Sequence, residues 1–391
     1  MRLRTTGFAI GFVLGILTLT SSVTLRSESI GLELPKPLYT SITPGLDYAN
    51  PCETNRPWSI HIARLDWKRK DFAIVTTLAK NRIQGLESLS RQMAAFPPGH
   101  GHPLAAINGD FFHIKAGPYQ GELQGLQILD GELVNAPENK CLWIGADGTP
   151  HIDVIFSIAE ITWPTGAKLP FHLNGMPPAH AATLFTSTFG RTTEATNAAE
   201  LVLQKAGDTP WLPLHVGETY RARVMEIHPI GNTAIPSNAM VLAVTGEAKT
   251  NLATIKPGDI LQFTTATKPA ISNVTYAIGG GPILVSGGVI QDWPVNKGIR
   301  DHIQPRHPRT ALGYNDRYFF LVVVDGRQPE LSIGMTWPEF SALMKQIGCT
   351  DALNLDGGGS ATFWLNGKVV NSPSDKRERS IANAVAIVRK P

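Results

Sequence analysis

One pattern recurs along this chain and narrows what it can become. An apolar run of strand length ends in an acid beside glycine, in "AAINGDFF" (105–112), "FLVVVDGRQ" (320–328) and "ALNLDGGGS" (352–360). A fourth run, "YAIGGGPILV" (276–285), passes through glycines without the acid. Glycine weakens helices and strands alike, so each run is read as a short strand stopped at a turn or beside a ligand. Asp-Gly is also the commonest hairpin turn. Asp130-Gly131 and Asp147-Gly148 have strand-like sequence on both sides and are read as turns of that kind.

The other acids come with company. In a strand, side chains two apart share a face. Asn354 and Asp356 therefore emerge together, as do Asn108 and Asp110, and Asp325 and Arg327 if their strand runs that far. Open α/β sheets place ligand sites beyond the carboxyl ends of their strands. The glycine triplets 279–281 and 357–359 let backbone N–H groups approach an anion without interference from a Cβ. This marks Gly280, Gly281, Gly357, Gly358 and Gly359, with Ser360 following, as candidate substrate-binding positions. "RHPRTALGY" adds Arg306, His307 and Arg309, where arginine offers a planar fork for phosphate or carboxylate. "DKRERSIANAVAIV" reads as a solvated charged loop before a last strand, with Arg379 placed to turn inward.

Several function classes drop out. A formal charge of +3 with no long basic run argues against nucleic acid. No GKS, GKT or helix-opening GxGxxG supports a nucleotide site. His100, His102 and His113 flank the 105–112 run but lack metal-ligand spacing, so no metal and no cofactor is expected. The three cysteines, Cys52, Cys141 and Cys349, are read as buried or unpaired thiols.

Residues 1–28 carry Arg2 and Arg4 before an apolar stretch over 7–25, the pattern of a signal peptide or membrane anchor. That predicts an exported protein, periplasmic or extracellular, with membrane association through the N-terminus if the stretch is kept. Residues 29–56 are Pro-rich and read as an irregular linker or arm, and 57–391 as one catalytic domain. "GLESLSRQMAAF" places Leu86, Leu89, Met93 and Phe96 at helical spacing. "TWPEFSALMKQIGC" is a second helix, with Thr336 and Glu339 as a capping box and Gly348 as its stop. Strand 318–325, this helix and strand 351–356 make a β-α-β unit. With 42% hydrophobic and only 17% charged residues the chain can bury a large core. The expected fold is α+β or mixed α/β: a strand-rich single domain with mixed sheets, few helices and the β-α-β unit near the C-terminus.

"GDFF", "IGGGPILVSGG", "HPRTALGY", "VVVDGRQP", "NLDGGGSATF" and "ERSIANAVAIV" occur in that order. Together they resemble the phosphodiester glycosidase family. The resemblance implies a hydrolase that cuts a sugar 1-phosphodiester at the glycosidic C–O bond, releasing sugar and a phosphomonoester. It implies a glycosyl phosphodiester or phosphorylated glycan as partner, in envelope or exopolysaccharide metabolism. For that chemistry, Arg309 is the expected phosphate clamp, with His307 and the two glycine turns beside it. Asp356 is the first choice of carboxylate and Asp325, paired to Arg327, the second. Asn108, Asp110 and Asn354 are expected to hold sugar hydroxyls. Two rivals remain: a metal-dependent phosphodiesterase cutting P–O, and a non-catalytic glycan-binding module using groups such as Trp293 and Phe363.

Overall fold

The computed structural model describes residues 35–53, 57–136, 139–292 and 305–391. The N-terminal apolar stretch and Trp293 lie outside these residues.

The run Tyr318–Val324 shows how sequence makes the layers. Every residue from Phe319 to Val324 is buried. With period two, Phe320, Val322 and Val324 face one core, while Phe319, Leu321 and Val323 face another. A strand apolar on both faces must be covered on both faces. One cover is the helix Trp337–Gln346, which inserts Phe340, Leu343 and Met344. The other is a five-stranded antiparallel sheet, which supplies Ile107, Phe363, Val385 and Ile387.

The central layer is a nine-stranded sheet. Its path runs 40–43, 46–49, 58–66, 318–324, 309–314, 351–354, 283–286, 289–290, with 52–53 paired to 58–66. Strands 318–324 and 351–354 are both antiparallel to 309–314, so they run parallel to each other. The β-α-β unit thus forms as expected, with 309–314 inserted between its strands. The five-stranded sheet has the order 368–369, 363–365, 102–108, 383–389, 72–78.

The third sheet has eleven strands. Seven of them close on themselves, because 168–173 pairs both with 182–185 and with 150–162. The ring encloses its own core, including Phe171, Leu201, Tyr220, Leu242 and Phe263. Both anticipated hairpins are present: 127–129 to 132–135 turns at Asp130 and Gly131 (φ 51° and 85°), and 139–145 to 150–162 turns at 146–149.

Two local expectations change. Part of the arm over 29–56 is regular: Thr40–Thr43 and Leu46–Ala49 form a hairpin whose second strand pairs with Trp58–Asp66, and Leu46 is fully buried. The helix expected over 85–96 is confined to Leu89–Ala94. Ser88 caps it, and Leu86 and Phe96 pack beyond its ends. The second helix has the capping box between Thr336 and Glu339, and Gly348 follows it at φ 101°. All three cysteines are free, with Cys141 and Cys349 buried.

Candidate active site

The site is built where the central sheet meets the five-stranded sheet. Asn108 ends strand His102–Asn108 and is fully buried. Its Nδ2 donates to the Asp356 carbonyl (2.6 Å), and its Oδ1 accepts from Thr310 Oγ1 (2.8 Å) and the Thr362 amide (3.1 Å). The Asp356 amide donates to the Gly109 carbonyl (3.1 Å). Asn108 is therefore a brace that fixes Asp356, and not the sugar ligand expected from its position.

Asp356 is half-buried at the start of the glycine turn. Burial raises its carboxyl above the usual range. The Ser360 hydroxyl, the Arg379 charge and the Gly357 amide pull the other way. The turn is shaped by what surrounds it. The Gly358 amide donates to the Pro308 carbonyl (3.0 Å), and Gly358 holds φ 57°. A Cβ on Gly358 would start 3.1 Å from Arg327 Nη2, and one on Gly359 would collide with the Arg379 guanidinium and Asp375. Arg379 donates twice to Asp375 Oδ2 (3.0 and 2.8 Å) and reaches Ser360 Oγ at 3.4 Å. Arg327 is exposed, in a left-handed conformation (φ 60°), with its Nη2 3.4 Å from His307 Nδ1. A carboxylate, a hydroxyl, two guanidinium groups and an imidazole thus surround one turn. Such a set can hold an anion beside a carboxylate.

Other expected residues are used differently. Asp325 is 1% exposed and does not pair with Arg327. Its Oδ2 meets His61 Nε2 (3.1 Å), and its Oδ1 accepts from Asn371 Nδ2 and the Ser372 amide (both 3.0 Å). Tyr48 Oη and Ser59 Oγ complete the ring of contacts on His61 (2.7 and 3.1 Å). Arg309 is also buried. Its fork donates to the Met335 and Pro305 carbonyls (2.8 and 3.0 Å). Burial, then Arg327, lowers its pKa to about 10 against the pull of Glu339. Arg306 pairs with Glu339 of the capping box.

The triplet 279–281 packs sheets together. The Gly281 amide donates to the Asn354 carbonyl (2.7 Å), and a Cβ on Gly280 would start 2.6 Å from the same oxygen. The Asn354 side chain donates to the Gly281 and Leu355 carbonyls (both 2.8 Å), so it braces this junction. Asp110 is buried behind Asp356. Its Oδ1 accepts from the Phe111 amide (2.7 Å), and its Oδ2 lies against Gly125 and Gly279 without completing a hydrogen bond. Burial pushes its pKa up to about 7, opposed by the Phe111 and Gly125 amides and reinforced by Asp356.

The structure thus brings together Asp356, Ser360, Gly357–359, Arg327 and His307. It gives Asp325, Arg309, Asn108, Asn354 and the 279–281 turn buried bracing contacts, with Asn108 bonded to the Asp356 carbonyl and Arg309 within electrostatic reach of Arg327. Arg379 turns inward as its place in the charged run allowed, whereas its partner Asp375 belongs to the part read only as solvated loop; the i,i+4 spacing of opposite charges was the available signal for the pair. His61 had no sequence signal. Among the described residues, no three His, Cys, Asp or Glu side chains come together in a way that could hold a metal ion.

Comparison with known proteins places these segments. Residues 216–388 match the phosphodiester glycosidase family. The SPbeta prophage-derived uncharacterized protein YomE of Bacillus subtilis (strain 168) is 37% identical over 83 residues, 21% of this chain and 13% of that protein. The N-acetylglucosamine-1-phosphodiester alpha-N-acetylglucosaminidase of Bos taurus is 44% identical over 68 residues, 17% of this chain and 12% of that enzyme. The chain therefore spans only a small part of these relatives' length. The crystal structure of a hypothetical protein from Synechocystis superposes with a TM-score of 0.73 at 18% identity, covering 91% of this chain and 64% of that one, which shows a shared fold. The similarity to the phosphodiester glycosidase family thus covers residues 216–388, less than half of the chain.

Proposed function

We propose that this protein hydrolyses a glycosyl phosphodiester at its glycosidic C–O bond, giving a free sugar and a phosphomonoester. The observation that carries this reading is the placement of the Asp356 carboxylate on a glycine turn packed against Arg327 and Arg379. The family match and the activity named for the bovine relative support it. A phosphate ester leaves as a stable anion and needs charge neutralisation more than a proton. Arg379 and Arg327, with His307, supply that neutralisation. Asp356 acts at the anomeric carbon, as nucleophile or as base for water. Ser360 holds its carboxylate in place. Asp325 and Arg309 lie buried and act on the fold. The Arg-flanked apolar stretch 7–25 supports export and a substrate in the cell envelope or an exopolysaccharide.

Hydrolysis in oxygen-18 water tests the bond that breaks. Water brought to the anomeric carbon labels the released sugar and leaves the phosphomonoester unlabelled. Label in the phosphate would mean P–O cleavage and would overturn the roles given to Asp356 and the arginines.

A further inference from the structure

A groove runs along strand Phe72–Leu78, the outer strand of the five-stranded sheet. It consists of two cavities of about 300 and 230 Å³ that share His100, Asp130 and Tyr276. One wall is the strand itself, residues 72–75 in the first cavity and 76–78 in the second. The facing wall is the 127–135 hairpin with the starts and ends of neighbouring strands. We propose that this groove binds a neutral oligosaccharide, as a site separate from the Asp356 cluster.

Two observations point to that ligand, and a third describes the rim. Half-buried Trp67 in the first cavity and Phe96 in the second give apolar surface on which sugar rings can rest, with the largely buried Tyr276 common to both. Four Lys and Arg side chains lining it are matched by four Asp and Glu side chains. That balance gives no net field to attract a polyanion or polycation, but many donors and acceptors for hydroxyl groups. Lys80 and Asn81, on the rim, hold consecutive left-handed conformations (φ 56° and 54°), which lysine in particular rarely adopts.

An extended peptide adding itself to the edge of strand 72–78 is the competing ligand. The strand's own surroundings disfavour it. Its residues are almost all buried, and Thr76 Oγ1 already donates to the Ile128 carbonyl of the facing hairpin (3.2 Å). The facing hairpin therefore stands in the way of a strand added along that edge.

The groove leads towards the cluster described above. Leu78 lies opposite Asn383, and Ala384 lies opposite Asn108. Glu87, in the groove wall, forms a bridge with Ile381, two residues beyond Arg379. The groove is thus placed to hold sugar units distant from the bond being cut; this link, unlike the binding itself, rests on the hydrolase reading.

Binding is read without turnover, by calorimetric titration of the full chain with maltohexaose, cellohexaose and chitin hexaose. At least one of the three should bind saturably. His100→Trp, at a side chain 46% exposed and common to both cavities, should weaken that binding about tenfold or more, while the variant's thermal melt stays as in wild type. Asp356→Asn should bind as wild type does. No saturable binding of any of the three, binding untouched by His100→Trp, or tighter binding of an uncharged Thr-Val repeat peptide would each overturn the proposal. None of these outcomes alters the oxygen-18 result, so the two readings fail independently.

Discussion

Arg309 and Arg379 answer differently to the same substitution. Arg309→Lys keeps a charge but removes the fork that serves the Met335 and Pro305 carbonyls. A hydrogen bond from a charged donor is worth about 1.5 to 3 kcal/mol, so urea unfolding should show a loss of that order while folded molecules keep their turnover. Arg379→Lys breaks the paired contact with Asp375 and the reach to Ser360. Turnover should fall by roughly 2 to 4 kcal/mol of transition-state stabilisation, with the melting temperature little changed. Equal effects on both properties in both variants would contradict this division. Asp110 makes a pH prediction. Its native pKa of about 7 lies above its unfolded value, so the folded state holds more protons between the two. Stability should therefore decline as pH rises from about 4 towards 7, and Asp110→Asn should flatten that part of the profile. An unchanged slope in the variant would place the titration elsewhere. Such partners were hidden in the sequence. The spacing of Asp325 and Arg327 is legible, but the backbone turns at Gly326 and Arg327 adopts φ 60°, so Asp325 finds His61 instead.

At the scale of elements, the acid-glycine pattern read correctly as strand ends. Asn108, Asp325 and Asn354 all stand at or just past the last residue of a strand. Period two and glycine are local signals, and local signals survive into the fold. What the glycines serve was less legible. The 357–359 turn makes room for two arginines, whereas 279–281 makes room for another sheet. Both look alike in sequence because close approach of any kind requires glycine. Asn108 is the tightest of these junctions. Asn108→Ala removes its bonds to Asp356, Thr310 and Thr362 at once. The expected cost is about 2 to 4 kcal/mol, with a fall in turnover that Asn108→Asp does not restore, because a carboxylate cannot donate to the Asp356 carbonyl. Full activity in either variant would remove Asn108 from the support of Asp356.

Across the whole molecule, strand content and the β-α-β unit were legible, and the closed ring of seven strands was not. Its closure depends on strand 168–173 pairing on both edges, once antiparallel and once parallel, which no local pattern encodes. The middle strand of the five-stranded sheet raises a matter of timing. Strand 383–389 lies between 72–78 and 102–108 and pairs with both along nearly its whole length. A chain made from its N-terminus exposes those two earlier strands, with unfilled edges facing each other, until nearly three hundred further residues have followed. Over that interval the growing chain carries two sticky apolar edges that invite intermolecular pairing. Whatever escorts this protein before it folds must shield those edges, and a chain halted before residue 383 would offer them permanently.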